Sequence, residues 1–346
     1  MKGLRKFTFP LFFLILFVLA WLLFKIKYYV PGDLGQFDQM TIEDQQEKNG
    51  FVTRFGDLNI NSMVRQEDLY FIGSNDGLFI EDRKSASIQR SQGLRYVFAL
   101  METADEVLVG YDGGLASFKD GDLVLKIDAP NDQVRSFCQT EEGIWHGATD
   151  GLYLNGTKVL SKKDGLAEDM VNVIRESSDG ALWLGSYAAP RGGLTIKEKD
   201  KLTIFTDLAH PDLTAIIELK PDYVLTGGGF YDKGGANLFR KKDGGWTMVQ
   251  TIRKEDGLPG AKVRSFYIDQ KGRLWIGSEY DGVGLYNFQI KDDFLSLDPI
   301  FIITEDHGLA SGEVKFIQED EKNYYLGTQQ GLSQISKEDL EKLVHP

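Results

Sequence analysis

Seven times in 346 residues a short strand-forming run ends at a glycine, turns through polar residues and resumes as a second run. The phrases are "LYFIGSNDGL" (69–78), "VLVGYDGGL" (107–115), "IWHGATDGL" (144–152), "LWLGSYAAPRGGL" (182–194), "VLTGGGFYDKGGANL" (224–238), "LWIGSEYDGVGL" (274–285) and "YYLGTQQGL" (324–332). Their anchor glycines, Gly73, Gly110, Gly147, Gly185, Gly227, Gly277 and Gly327, are separated by 37, 37, 38, 42, 50 and 50 residues. A catalytic motif occurs once in a chain, whereas a phrase that recurs is architecture. A period near 40 built from short β-runs points to a propeller with one four-stranded blade per repeat.

Each repeat divides into four strands. Strand A precedes the anchor, as in "VNVIRES" or "VRSFYID", and a turn such as "SDG" or "QKG" leads to strand B, the "LWIG" run. Strand C starts at "GL", and strand D is a run such as "KLTIFT" (201–206). Trp, Tyr, Ile, Val and Phe dominate, as suits pleated strands between sheets. Glycine at the ends of B and C reads as backbone freedom for the tight turn. The last repeat runs out after "LSQIS", while "GFVTRFGDLNI" near the start has the pattern of a D strand with no blade before it. Residues 51–56 are therefore expected to complete the last blade and close the ring, removing an open sheet edge. The expected fold class is all-β: a seven-bladed β-propeller over 51–346, preceded by a transmembrane helix (1–27) and a polar juxtamembrane linker (28–50).

The N-terminus is different material. "FTFPLFFLILFVLAWLLF" (7–24) carries no charge and lies between Lys2, Arg5, Lys6 and Lys25, Lys27. At about 1.5 Å per residue it reaches roughly 27 Å, near the thickness of a hydrocarbon core. The run continues through the small-residue site "VLA", so it reads as an uncleaved signal anchor rather than a cleaved signal peptide. The basic flank places the N-terminus in the cytoplasm and the propeller outside, on a bacterial cytoplasmic membrane. A net charge of −13 argues against nucleic-acid partners, which need clustered Lys and Arg. The single cysteine, Cys138, excludes a disulfide framework and reads as a small hydrophobe in a strand.

The phrase "DGL…V…I…D..G.LW.GS..GL", clearest at 164–194 and 256–286, resembles the two-component regulator propeller repeat. The resemblance covers most of 51–336. It implies a propeller of the kind found in bacterial extracytoplasmic sensors, where many members continue into a membrane span and a histidine kinase. This chain carries no kinase part before Pro346, and no kinase activity is expected of it.

Motifs of chemistry are scarce. No HExxH, GxSxG, P-loop or CxxC stands in the chain, and no cofactor or metal is expected. "GGGFYDKGG" lacks the Lys-Ser/Thr of a phosphate loop. His146 occupies the strand B place of Ile276 and Leu184 and reads as a packed residue. His210 and His307 fall in loops, and Asn155 opens a sequon. Streptogramin lyases show that a propeller can be an enzyme, but their chemistry needs a His/Glu metal cluster that four histidines here scarcely supply.

Differences between repeats say more. The B–C turns of the fourth, fifth and sixth repeats are enlarged to "SYAAPRGG", "GGFYDKGGA" and "SEYDGVG". They supply Tyr187, Arg191, Phe230, Tyr231, Asp232, Lys233, Glu279, Tyr280 and Asp281 on the face where D–A loops also emerge. Aromatic faces beside mixed charges can hold a sugar, a peptide or a small anion; they can equally be plain loop decoration. Aligning strand A of each repeat puts Arg135, Asn172, Arg264 and Lys315 at one position near the channel, with Asn61, Phe98 and Thr214 completing it. Arg135, Arg264 and Lys315 form a positive funnel unless each meets its own carboxylate. The expected function is ligand or partner recognition in sensing. The rival readings are a docking platform for an envelope protein and, more remotely, a lyase or hydrolase.

Overall fold

The computed structural model describes residue 34 and residues 36–41, 45–188 and 190–345. The apolar run 7–24 lies outside the described residues. Among the described residues, no helix is long and apolar enough to cross a membrane.

The described chain is all-β and forms six antiparallel sheets. The first is built in chain order from Ile60–Gln66, Leu69–Ser74, Gly77–Asp82 and Ser87–Ser91, and the later sheets repeat that order. The largest sheet has six strands because one strand, Asp122–Thr140, serves twice. Its first half pairs with Val107–Lys119, and its second half pairs with Gly143–Ala148. Contacts between inner strands run in a closed cycle: Ile60–Gln66, Val97–Glu102, the end of Asp122–Thr140, Val171–Glu176, Leu213–Lys220, Val263–Ile268, Val314–Glu319, and back to the first. Sheets arranged radially in this way are a β-propeller.

Apolar side chains fill the spaces between neighbouring sheets. Trp183, Trp275, Tyr286 and Tyr324 are among the largest fully buried. The indoles are held at the A–B turns: Trp183 donates to Ser177 Oγ (3.0 Å) and Trp275 to Asp269 Oδ2 (3.0 Å). Asp269 also binds Arg273 (2.7 Å), whose Nη1 reaches Glu341 (2.8 Å) on the C-terminal helix Lys337–Val344.

Phe51–Arg54 pairs antiparallel with Gly331–Ser336, so the two ends of the propeller share one sheet. The segment before it departs from a free polar stalk. Phe37–Met40 adds a fifth strand to the first sheet, and Gln45–Lys48 adds one beside Phe51–Arg54. The outer strand of a blade keeps an open edge that can accept another strand. Phe37 then seats edge-on against Phe118 of the adjoining sheet (6.2 Å), which a stalk could not do.

The repeated glycines divide into two kinds, and only one matches the turn argument. The glycine opening strand C is left-handed, as at Gly151 with φ 150°. The anchor glycines are not among the left-handed residues. They are needed because inner strands come close, that of the next blade at most anchors and Phe316 of its own blade at Gly327: a Cβ on Gly147 would lie 2.4 Å from the carbonyl oxygen of Val171.

Candidate functional site: the channel mouth

Each inner strand opens with the same three-residue device. Ile60, Val97, Val134, Val171, Leu213, Val263 and Val314 are buried between blades. Alternation along a strand turns their neighbours the other way, towards the channel. A register shift against strand B falls at the following residue in every case: Asn61, Phe98, Arg135, Asn172, Thr214, Arg264 and Lys315. Such bulges re-aim a side chain locally. The aligned constellation is therefore a ring of bulge residues around the channel mouth.

On one side of the mouth, charges alternate across neighbouring blades. Lys262 is 4% exposed and pairs with Glu279. Glu279 stands 3.9 Å from Arg264 Nε, and Arg264 Nη2 binds Glu313 (2.7 Å). Glu313 is 4.0 Å from Lys315, whose ammonium donates to the side-chain oxygens of Asn59 and Asn61. Burial pulls Lys315 down to about 8 even with Glu313 beside it.

Arg135, on the opposite side, is held differently. Its Nε donates to Asn172 Oδ1 (2.9 Å) and its Nη1 to Gln133 Oε1 (2.7 Å). The guanidinium lies 4.6 Å from the centre of the Phe98 ring, which stacks on Tyr96 at 6.4 Å. Among the described side chains, no carboxylate is within ion-pair distance of it. Burial, together with the like charge of Arg264, pulls Arg135 below the ordinary guanidinium range. Arg264 and Lys315 thus meet Glu313, whereas Arg135 is bonded by amides and covered by a ring, with the charges of Tyr187 and Asp112 acting on it from further off. Lys262, Arg264, Lys315 and Arg135 are interleaved with Glu279 and Glu313, and the buried Asp212, one residue before Leu213, holds the ring place of Lys262 and Glu313.

The enlarged turns are brought to the same face but not to one spot. Tyr187 joins the mouth, with Lys262 Nζ 5.8 Å from its ring centre. Arg191 turns aside to Glu168 (3.4 Å) and stays mostly exposed. The fifth repeat has no irregular loop: strands Tyr223–Phe230 and Lys233–Lys242 extend to a two-residue turn at Tyr231 and Asp232. Phe230 and Tyr231 pack edge-on at its tip (4.4 Å), and Tyr231 is 66% exposed. Glu279 belongs to the mouth, whereas Tyr280 and Asp281 line an outer cleft of about 480 Å³ with Glu305 and Asp306. The charge of Glu279, above all, raises the Tyr280 hydroxyl above the ordinary phenol range.

Lys262, Glu313, Asn59 and Gln133 were not singled out by the sequence. All four stand one residue before the buried apolar position, so the alternation that exposed Arg135 and Arg264 could have found them. His146 is 2% exposed, lies parallel to Tyr153 at 4.7 Å, and is pushed by burial down to about 4. Among the described residues, no group of three or more His, Cys, Asp and Glu is placed to hold a metal ion.

Comparison with known proteins meets this geometry in one repeat. The sequence model of the family described as "Two component regulator propeller" matches residues 257–280, which hold Lys262, Arg264 and Glu279. That stretch is similar to a two component regulator propeller repeat. The resemblance read from "DGL…LW.GS" thus rests on the blade that carries much of the mouth's charge. No curated protein matches the chain. Among solved structures, the fold is similar to the extracellular domain of BT4673 from B. thetaiotaomicron, described as a one component or hybrid two component system. The identity is 20% and the TM-score 0.62, over 87% of this chain and 40% of that one. A streptogramin B lyase has 12% identity and a TM-score of 0.56, covering 87% of this chain and 97% of its own. PorZ, a surface component of the type-IX secretion system of Porphyromonas gingivalis, has 13% identity and a TM-score of 0.55 over 80% and 46%. The chain therefore spans less than half the length of the BT4673 domain and of PorZ, and at these identities it shares their fold.

Proposed function

We propose that this chain is a recognition module: a seven-bladed propeller, anchored in the bacterial cytoplasmic membrane by residues 1–27 and displayed outside it, that binds a ligand at its channel mouth. The blade count takes the six-stranded sheet as two blades sharing Asp122–Thr140, and Phe51–Arg54 as the strand that closes the ring. The observation that carries the binding role is Arg135. A half-buried guanidinium backed by amides and a ring, with no described carboxylate at ion-pair distance, suits an acidic group on a ligand. Charge-assisted bonds to such a group are short and strong. Tyr187, with its ring beside Lys262, supplies an apolar face next to that cation. Tyr231 and Tyr280 stand further out and suit a larger ligand that reaches over the rim.

The test is calorimetric titration of the protein with a panel of small carboxylates, sulfate esters and phosphate esters. Any compound that binds should lose roughly tenfold or more in affinity to Arg135→Gln, since a hydrogen bond to a charged group is worth about 1.5–3 kcal/mol. Tyr187→Ala should cost about 1–3 kcal/mol in the same titration. Unchanged affinity in both variants would place recognition away from the mouth.

A further inference from the structure

We infer that the propeller is held with its channel mouth turned towards the bilayer, so that the ligand site reads the membrane surface rather than the open compartment. This rests on the proposed anchor, but it is carried by where the chain joins the propeller. Phe37 pairs with Ser91 and Met40 with Ile88, and Gln92 N donates to Gln36 O (3.0 Å). Ser91 ends the outer strand of the first sheet, at the side where the chain turns into the next blade. That is the side carrying Asn61, Phe98 and the rest of the mouth. The fifth strand runs away from the mouth from Phe37 to Met40, so everything before Gln36 arrives on the mouth side. Leu34 and Phe37 both pack on the apolar cluster that includes Leu94, Val97 and Tyr111, which fixes that arrival.

The tether is short. Nine residues, 25–33, separate the end of the apolar run from Leu34. Fully extended, they reach roughly 30 Å at about 3.3–3.6 Å per residue. Turning the opposite face to the membrane would make the same nine residues first descend the blade. A six-residue strand is roughly 20 Å long at about 3.3 Å per residue, so little would remain. The mouth face also carries exposed aromatic tips, Tyr96, Phe230, Tyr231 and Tyr280, a residue class favoured at bilayer interfaces. The tether sets the gap between that face and the bilayer. That gap, at most the tether's length, admits small or bilayer-borne ligands and excludes bulky soluble ones.

Energy transfer in proteoliposomes tests this. Full-length protein with Cys138→Ser receives a single donor dye at Tyr231→Cys, on the mouth face, or at Phe294→Cys, on the turn at the opposite face; both sites are exposed. Acceptor dyes sit on the lipid headgroups. Transfer at least twofold more efficient from position 231 than from 294 is the expected result. Equal or reversed efficiencies, in protein that stays with the vesicles after an alkaline wash, would overturn the orientation alone. Release of the protein by that wash would instead overturn the anchor, and the orientation with it.

Discussion

Single residues show how one position can serve packing or recognition according to its surroundings. His146 occupies a strand B place where other repeats carry Ile276 or Leu184, and it is buried as they are. Its imidazole is depressed to about 4, below the ordinary 6.5, because burial penalises the cation. An unfolded chain therefore takes up that proton first as pH falls. Stability should be intact above about pH 6.5 and decline between there and pH 4, by about 3 kcal/mol at most from this residue. Urea unfolding at pH 7 and pH 4.5 checks it: His146→Leu should lose less stability on acidification than the parent, and an equal loss would contradict the assignment. Arg135 differs in that its Nε and Nη1 are bonded by amide oxygens rather than by a carboxylate. Its strand position was legible from the aligned "VRSF", "VNVI" and "VKFI" runs. Whether a carboxylate would neutralise it was not legible, because the candidate partners sit on loops of unequal length from other blades.

At the scale of elements, close approach between blades governs the sequence more than turn geometry does. The recurring "LWIG" glycine is legible as a repeat marker, but its cause is the neighbouring sheet, which only the assembled ring reveals. Gly147→Ala would set a Cβ against a backbone carbonyl that cannot retreat without moving a strand. The cost should be about 1–3 kcal/mol, the usual range for overpacking. Gly245→Ala, where a Cβ meets nothing within 4 Å, should change stability by less than about 0.5 kcal/mol. Thermal melting of the two variants compares them directly, and similar losses would remove close approach as the reason for the anchor. The strand Phe37–Met40 shows the opposite case. Nothing in the polar, aperiodic stretch 28–50 marks a strand, because an added edge strand needs only backbone pairing and one seated aromatic. The enlarged fifth repeat was legible as an insertion. Its form, a hairpin prolonged to Tyr231 and Asp232, follows from strand-competent residues on both sides of the turn.

For the whole molecule, fold and function were legible to different degrees. Period, strand composition and the ends of the repeat array specify a closed β-ring, since each property concerns neighbours in sequence or the next repeat along. The mouth combines side chains from several blades, so its charge balance depends on bulges and loops that periodicity does not describe. The central claim is that this mouth, around Arg135, holds an acidic ligand. The most direct measurement is mass spectrometry of small molecules that co-purify with the full-length protein from its native membranes, parent beside Arg135→Gln. The expected result is an acidic compound retained by the parent and lost from the variant, with the ligand-stripped parent and the variant melting at similar temperatures. Equal retention of every bound compound by the two folded proteins would contradict it.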